Sequence, residues 1–128
     1  MAVPSIETLR MAAVRAPQHY LEFLRVPSLS AGIYVLAAGA TDPQRPHTED
    51  EIYYVVRGRG RFHHGDADDP VGAGDVLFVP AREVHRFHDV VDELVLLVVF
   101  SPPEGSRAAS DRTEGHPRAP DRTPGALP

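Results

Sequence analysis

The sequence predicts an all-β domain, an antiparallel sandwich or barrel, with short helices before it and a disordered tail after it. Three observations carry this. Between Leu29 and Phe100, short runs of β-branched and aromatic residues alternate with Gly and Pro. Ahead of them, Ser5 to Arg25 spaces its apolar residues as a helix does. Behind them, Pro102 to Pro128 holds six of the 13 prolines and a single large aliphatic residue, Leu127. The chain of 128 residues therefore divides into a helical segment at 1–27, one β-domain at 28–101 and a Pro-rich tail at 102–128.

Taken in order, Ile6, Leu9 and Ala13 share one helical face, and Tyr20, Leu21 and Leu24 form a second set after Pro17. Proline is tolerated at the first position of a helix because its missing N–H is not needed there, so two short helices packed outside the domain are expected. Ile33–Leu36 and Ile52–Val56 read as strands. Arg57-Gly58-Arg59-Gly60 reads as a turn, Arg61–His64 as a short strand stopped by Gly65-Asp66, and Asp66–Pro70 as an acidic loop. Val76–Val79 follows the turn Gly72–Asp75 and stops at Pro80, and Arg86–Val91 and Leu94–Phe100 complete the strands. In the tail, acids and bases balance at four each. With so little apolar surface to bury, it cannot offset the entropy of ordering.

Composition excludes several chemistries. The net charge of −5 gives no electrostatic attraction to nucleic acid or to an anionic membrane. There is no Cys, which removes disulfides, thiolate metal sites and a thiol nucleophile. All 13 basic residues are Arg, so a Schiff-base lysine and a phosphate-loop lysine are also impossible. The N-terminal segment lacks the continuous apolar run of a signal peptide. The most apolar stretch, Leu94–Phe100, is far shorter than the roughly 20 residues of a membrane helix. A cytoplasmic protein is the expectation.

Four residues stand together as candidate metal ligands: Gln44, His47, Glu51 and His85. His47 and Glu51 are four apart at the start of a strand, and even separation on a strand puts both on one face. His85 follows the turn after Pro80 and opens another strand. Two imidazoles and one carboxylate suit a divalent first-row metal and leave positions open for water, dioxygen or substrate. Without thiolates the set favours Fe(II), Mn, Ni, Co or Zn over Cu(I). Each residue alone is an ordinary surface or hydrogen-bonding group; the surrounding pattern carries the reading.

That pattern resembles the cupin superfamily. The first cupin signature, G(X)5HXH(X)3,4E(X)6G, is matched in spacing by Gly39, Arg45-Pro46-His47, Glu51 and Gly58. The second, G(X)5PXG(X)2H(X)3N, is matched by Gly74, Pro80-Ala81-Arg82, His85 and Asp89. The resemblance covers Leu29 to Phe100 and implies a jelly-roll β-barrel holding one divalent transition metal. Position by position, His47, Glu51 and His85 match ligands. Arg45 replaces the first histidine and cannot ligate, because a guanidinium has no lone pair to give. Gln44 beside it is the alternative fourth ligand, or a water takes that place. Arg82 stands where the signature has glycine, and needs a backbone conformation compatible with a Cβ.

Around these ligands, Glu49 and Tyr53 share the nominal parity of Glu51, and His63 shares that of Arg61. These three are the candidate catalytic groups: a carboxylate base, a hydroxyl that orients substrate, and an imidazole at the pocket. Glu49 read instead as a solvated loop charge is the plainer alternative. His88, three residues after His85, should face outward, while Phe78, Phe87 and Phe100 should line the barrel. The resemblance implies a metal-dependent enzyme acting on a small molecule: a non-haem dioxygenase, or a related oxidation or isomerisation enzyme. The alternative is a non-catalytic ligand-binding or regulatory module with a structural metal. It also implies a homodimer, paired through Ser5–Arg25 and the Leu94–Phe100 strand.

Overall fold

The computed structural model describes residues 3–43 and 46–106. Gln44 and Arg45 lie outside the described residues, as does the chain from 107 onward, which includes most of the expected tail. The described residues form one α-helix, α1 (Ile6–Arg15), and six strands: β1 (Tyr20–Val26), β2 (Leu29–Leu36), β3 (Asp50–His64), β4 (Ala67–Gly72), β5 (Val76–Val79) and β6 (His85–Ser101). All pairings are antiparallel, in the order β1-β2-β6-β3-β4, with β5 added to β3. Among the described residues no helix is long and apolar enough to cross a membrane.

The second expected helix is a strand. Ser5 caps α1, its side chain accepting from the Thr8 backbone N–H. After α1 comes a short 3-10 turn at Pro17–His19, in which Gln18 and His19 both have positive φ, at 52° and 61°. Two consecutive left-handed residues end a right-handed helix. The chain reverses and Tyr20–Val26 pairs with β2, with a register shift between Glu22 and Leu24. That irregularity interrupts the ladder, and beyond Leu21 the strand is exposed, so its apolar residues show no inward alternation.

Two other expectations change for a related reason. Arg57–Gly60 is not a turn but the irregular middle of β3, where the pairing to β6 shifts register between Val55 and Arg57, Arg57 and Arg59, and Arg59 and Arg61. Gly58 has φ of +100°, and a Cβ there would lie 2.1 Å from the Glu93 carbonyl oxygen. The acidic loop is an edge strand, β4, whose Asp68 and Asp69 bond Arg61 and His64 across the ladder. An edge strand carrying charge is protected against unwanted pairing.

Both faces of β6 are buried. One face sends Leu94, Leu96, Val98 and Phe100 into the barrel core with Tyr34, Tyr53, Val55, Phe62 and Phe87. The other sends Val95 against Ile33, Val35 and Ala13, the floor on which α1 sits. Arg10 fastens α1 to β6 through paired hydrogen bonds to Glu93 at 2.9 and 3.0 Å. The described chain also continues in packed form past the expected domain boundary at Pro102. Pro103 is buried, the Glu104 N–H donates to Ser30 Oγ at 2.9 Å, and Arg25 donates to the Glu104 carbonyl at 3.1 Å.

Replacing Gly58 by Ala should destabilise the domain by about 3 kcal/mol, because a Cβ at positive φ would also collide with backbone that cannot yield. Gly72→Ala, whose Cβ would find its nearest neighbour at 3.8 Å, should stay within about 0.5 kcal/mol. Urea unfolding of both variants checks the pair.

Candidate metal centre

Three segments bring the site together. Glu51 is the second residue of β3, His85 is the first of β6, and His47 lies in the connection between β2 and β3. The turn between β5 and β6 locks two of these segments to each other. Its Arg82 N–H donates to the His47 carbonyl at 2.5 Å, and its Ala81 N–H donates to Asp50 Oδ1 at 2.9 Å. Arg82 has φ of +70°. The non-glycine residue at the signature's glycine position thus takes the left-handed conformation, and this aims its N–H at the His47 segment.

Among the described residues, His47, Glu51 and His85 have ligand atoms that all lie within 4.8 Å of one another. Glu51 Oε1 is 3.1 Å from His85 Nε2 and 3.8 Å from His47 Nε2. The rings of His47 and His85 are 5.2 Å apart. All three residues are at least 97% buried, with relative exposures of 3%, 1% and 2%. Phe100 packs edge-on against His47, and Tyr53 and Phe62 flank His85.

The tautomer of His85 decides what this arrangement can hold. Its Nδ1 lies 2.9 Å from the Glu83 carbonyl oxygen, which can only accept, so Nδ1 carries the proton. In the neutral ring Nε2 then presents a lone pair toward the Glu51 carboxylate 3.1 Å away. Two lone pairs at that distance repel, and a proton or a cation between them removes the conflict. Burial pushes the His85 pKa down, but the hydrogen bond and charge of Glu51 and the Glu83 carbonyl outweigh it, so the ring protonates more readily than usual. A cation fits the same need. The two imidazole nitrogens and one carboxylate form a donor set of borderline softness, and the carbonyl that fixes the tautomer is the usual partner of a ligating histidine.

The structure sorts the remaining expectations. Tyr53 is fully buried beside the centre, next to Glu51. Burial and the Glu51 charge push its pKa well above that of a free phenol. Glu49, with 1% exposure, is buried as its parity predicted and not a solvated loop charge; it accepts from the Thr48 hydroxyl. His63 is not at the pocket. It faces the outer side of β3, 3.7 Å from Asp68 Oδ2. The register shifts at 55–61 reverse the parity of β3, so that Tyr53 and Val55 face inward before them and Gly60 and Phe62 after them. It is His64 that stacks on the buried Phe62. His88 faces outward as expected and bonds Asp68 at 2.6 Å. Phe87 and Phe100 line the barrel, but Phe78 is 58% exposed. Gln44, the candidate fourth ligand, lies outside the described residues.

One buried acid escaped the sequence reading. Asp42 has 3% exposure and accepts from the Tyr34 hydroxyl and from the Phe87 backbone N–H. Burial, with Asp42 beside it, raises the Tyr34 pKa far above that of a free phenol. An Asp before a Pro reads as a turn residue, and no motif position marks it.

A family model described as the cupin domain matches residues 32–100. The chain is 49% identical over 85 residues to an uncharacterized protein of Streptomyces coelicolor, covering 66% of this chain and 81% of that one. It is also 49% identical over 41 residues to an oxalate-binding protein of Thermotoga maritima, covering 32% of this chain and 34% of that protein. Among solved structures it is similar to the DMSP lyase DddQ of Ruegeria pomeroyi, with a TM-score of 0.56 and 27% identity over 59% of this chain and 39% of the lyase. The chain thus spans little more than a third of the length of either of these last two proteins.

Replacing Glu51 by Gln should separate the two roles of this carboxylate. The amide nitrogen can donate to the His85 lone pair 3.1 Å from the present carboxylate oxygen. At alkaline pH the metal-free variant should melt a few degrees above the parent, an effect of about 1 kcal/mol. Its bound metal should fall to near zero, since a neutral amide is a weaker ligand. Thermal unfolding with elemental analysis reads both.

Proposed function

The chain belongs to the cupin domain family, and on that premise we propose that it binds one divalent first-row transition metal through His47, Glu51 and His85 and acts on a small molecule there. The observation that supports this most is the buried Glu51 carboxylate set 3.1 Å from an imidazole whose other nitrogen is already committed to a carbonyl. A metal held by three protein ligands keeps positions open for an oxygen-donor substrate and for dioxygen or water, and acts as a Lewis acid or redox centre. The reaction class we propose is oxidation of the dioxygenase kind, or a related isomerisation. Two buried groups able in principle to donate or accept a proton support a catalytic role: Tyr53, beside Glu51, and Glu49, two residues before Glu51. A cytoplasmic location belongs to the same reading.

A second reading, a non-catalytic module that holds a small anion on the metal, is favoured by the identity to the oxalate-binding protein. Oxalate is a small dicarboxylate able to fill two adjacent coordination positions. The two readings part on turnover: the enzyme consumes dioxygen or converts substrate, and the binding module does neither.

We also propose a homodimer, but not through the segments expected from sequence. The helix α1 is spent on its own sheet, and β6 is the buried central strand. The outer face of β3 and β5 carries a contiguous apolar patch, where Ile52 pairs with Phe78 and Tyr54 with Val76, all four exposed. Contiguous apolar patches of this kind mark interaction sites.

Protein purified without added metal should carry about one metal ion per chain, and His47→Ala and His85→Ala should each carry less than about a tenth of that, as loss of a ligand removes chelation. Full metal content in both variants would refute the site. Oxygen uptake by the Fe(II)-loaded protein over a panel of small organic acids then separates enzyme from binder. Phe78→Asp should shift the protein from dimer to monomer in analytical ultracentrifugation while leaving metal content unchanged.

A further inference from the structure

We infer that Asp42 is a positioning residue for the metal centre: it clamps the segment that carries His47 to the strand that carries His85, and so sets the spacing of the two imidazoles. The inference rests on the metal-binding reading above and concerns a residue that the first cupin signature spans but leaves unspecified.

The geometry is specific. Asp42 lies five residues before His47, and Phe87 lies two residues after His85. One carboxylate oxygen, Oδ2, accepts the Phe87 backbone N–H at 2.8 Å. The other, Oδ1, accepts the Tyr34 hydroxyl at 2.8 Å. A single side chain therefore joins the β2–β3 connection to β6 on one side and to β2 on the other. All three partners are buried, with exposures of 3% for Asp42, 1% for Tyr34 and 0% for Phe87. In such surroundings water cannot replace a lost acceptor, so removing it leaves donors unsatisfied.

The remaining ties of this connection do not make Asp42 redundant. Gly39 is bonded to Val90, upstream of the clamp, and the His47 carbonyl is bonded to Arg82, at its far end. Between these two points the chain passes Pro43 and Pro46, which have no N–H to contribute to a ladder. Among the described residues, Asp42 is a buried side chain of this stretch that bonds β6. His85 and Phe87 are on the same inner face of β6 and are both buried, so a displacement of the backbone at Phe87 is passed directly to the ligand. A group bonded directly to a ligand commonly governs metal affinity by about 10- to 100-fold; Asp42 acts one step further out, through the Phe87 backbone, so the lower end of that range is expected.

The test uses Zn(II) as the probe, with affinity measured by competition against a chromophoric chelator on the full chain. Asp42→Ala should weaken Zn(II) binding by about 10-fold. Asp42→Asn should remain within about 3-fold of the parent, because one amide atom still accepts from Phe87 and the other can donate to the Tyr34 oxygen. Tyr34→Phe, which leaves the Phe87 bond intact, should fall between them and guards against a fold defect in the alanine variant. Amide exchange in the metal-free protein should show faster exchange at Phe87 in Asp42→Ala with the other β6 amides unchanged. The Co(II) absorption spectrum should change in Asp42→Ala and not in Asp42→Asn. Unchanged affinity and an unchanged Co(II) spectrum in a folded Asp42→Ala protein would overturn the clamp while leaving the metal site standing. Equal loss in Asp42→Asn and Asp42→Ala would overturn positioning in favour of charge. If the parent chain itself takes up no Zn(II), the metal reading fails, and the clamp with it.

Discussion

The rest of the molecule is arranged around an electrostatic conflict in its interior. A carboxylate and two imidazoles stand within contact distance of one another in a barrel otherwise filled by Tyr, Phe, Leu and Val. Burying an ionised carboxylate costs several kcal/mol unless something compensates it. Here Tyr53 packs beside the acid, and the Glu51 charge helps to raise its pKa. The Glu83 carbonyl holds the proton of neutral His85 on Nδ1 and so directs the Nε2 lone pair at the carboxylate. Either a proton on Nε2, which makes an ion pair, or a cation between the two groups relieves that conflict. The geometry serves both, and metal binding competes with protonation of the same nitrogen.

Holding such a centre requires that three separated segments arrive together without help from the ligands. The backbone does this through bonds made at unusual conformations. Arg82 reaches the His47 carbonyl from the left-handed region, and Asp89 adopts φ of +48° where β6 turns its alternation so that Val90 faces inward. Short polar residues such as Asp tolerate that region, whereas Arg must be held there by its surroundings. The turn between β5 and β6 thus stores local strain next to the centre, and the interlocking hydrogen bonds of Arg82, Ala81 and Asp42 sustain it.

Much of this was legible in the residues. His47, Glu51 and His85 follow from spacing, because the signatures record where turns and strands must fall for three side chains to converge. The inward faces of Glu49 and Tyr53 follow from parity, since alternation holds up to Val55. What was not legible depends on where alternation fails. His63 faces out and Phe62 in because β3 slips register at its arginine–glycine stretch, and a Gly pair in sequence reads equally as a turn or as a bulge. Tyr20–Val26 reads as helix because this bulged edge strand is exposed beyond Leu21, so no inward alternation marks it as a strand. Asp42 was hidden differently. Its importance is a long-range contact with Phe87 and Tyr34, which no local pattern encodes.

The same slip in β3 divides its outer surface into two halves of opposite character. Past the bulge, Arg57, Arg59 and Arg61 face outward, and each meets an acid: Glu7, Asp92 and Asp68 at 2.8 to 2.9 Å. Exposed pairs of this sort contribute about 0–1 kcal/mol each, so they matter less for stability than for the surface they create. Covering them with another protein would strip water from ion pairs for little return. Before the bulge, Ile52 and Tyr54 face outward beside Phe78 and Val76, and covering them releases water from apolar surface at a gain. The two halves lie on one strand, and the apolar half is the one whose inner face carries Glu51 and Tyr53. The alternation that exposes Ile52 and Tyr54 also points Glu51 and Tyr53 inward, so this apolar patch lies directly behind the His47, Glu51 and His85 cluster.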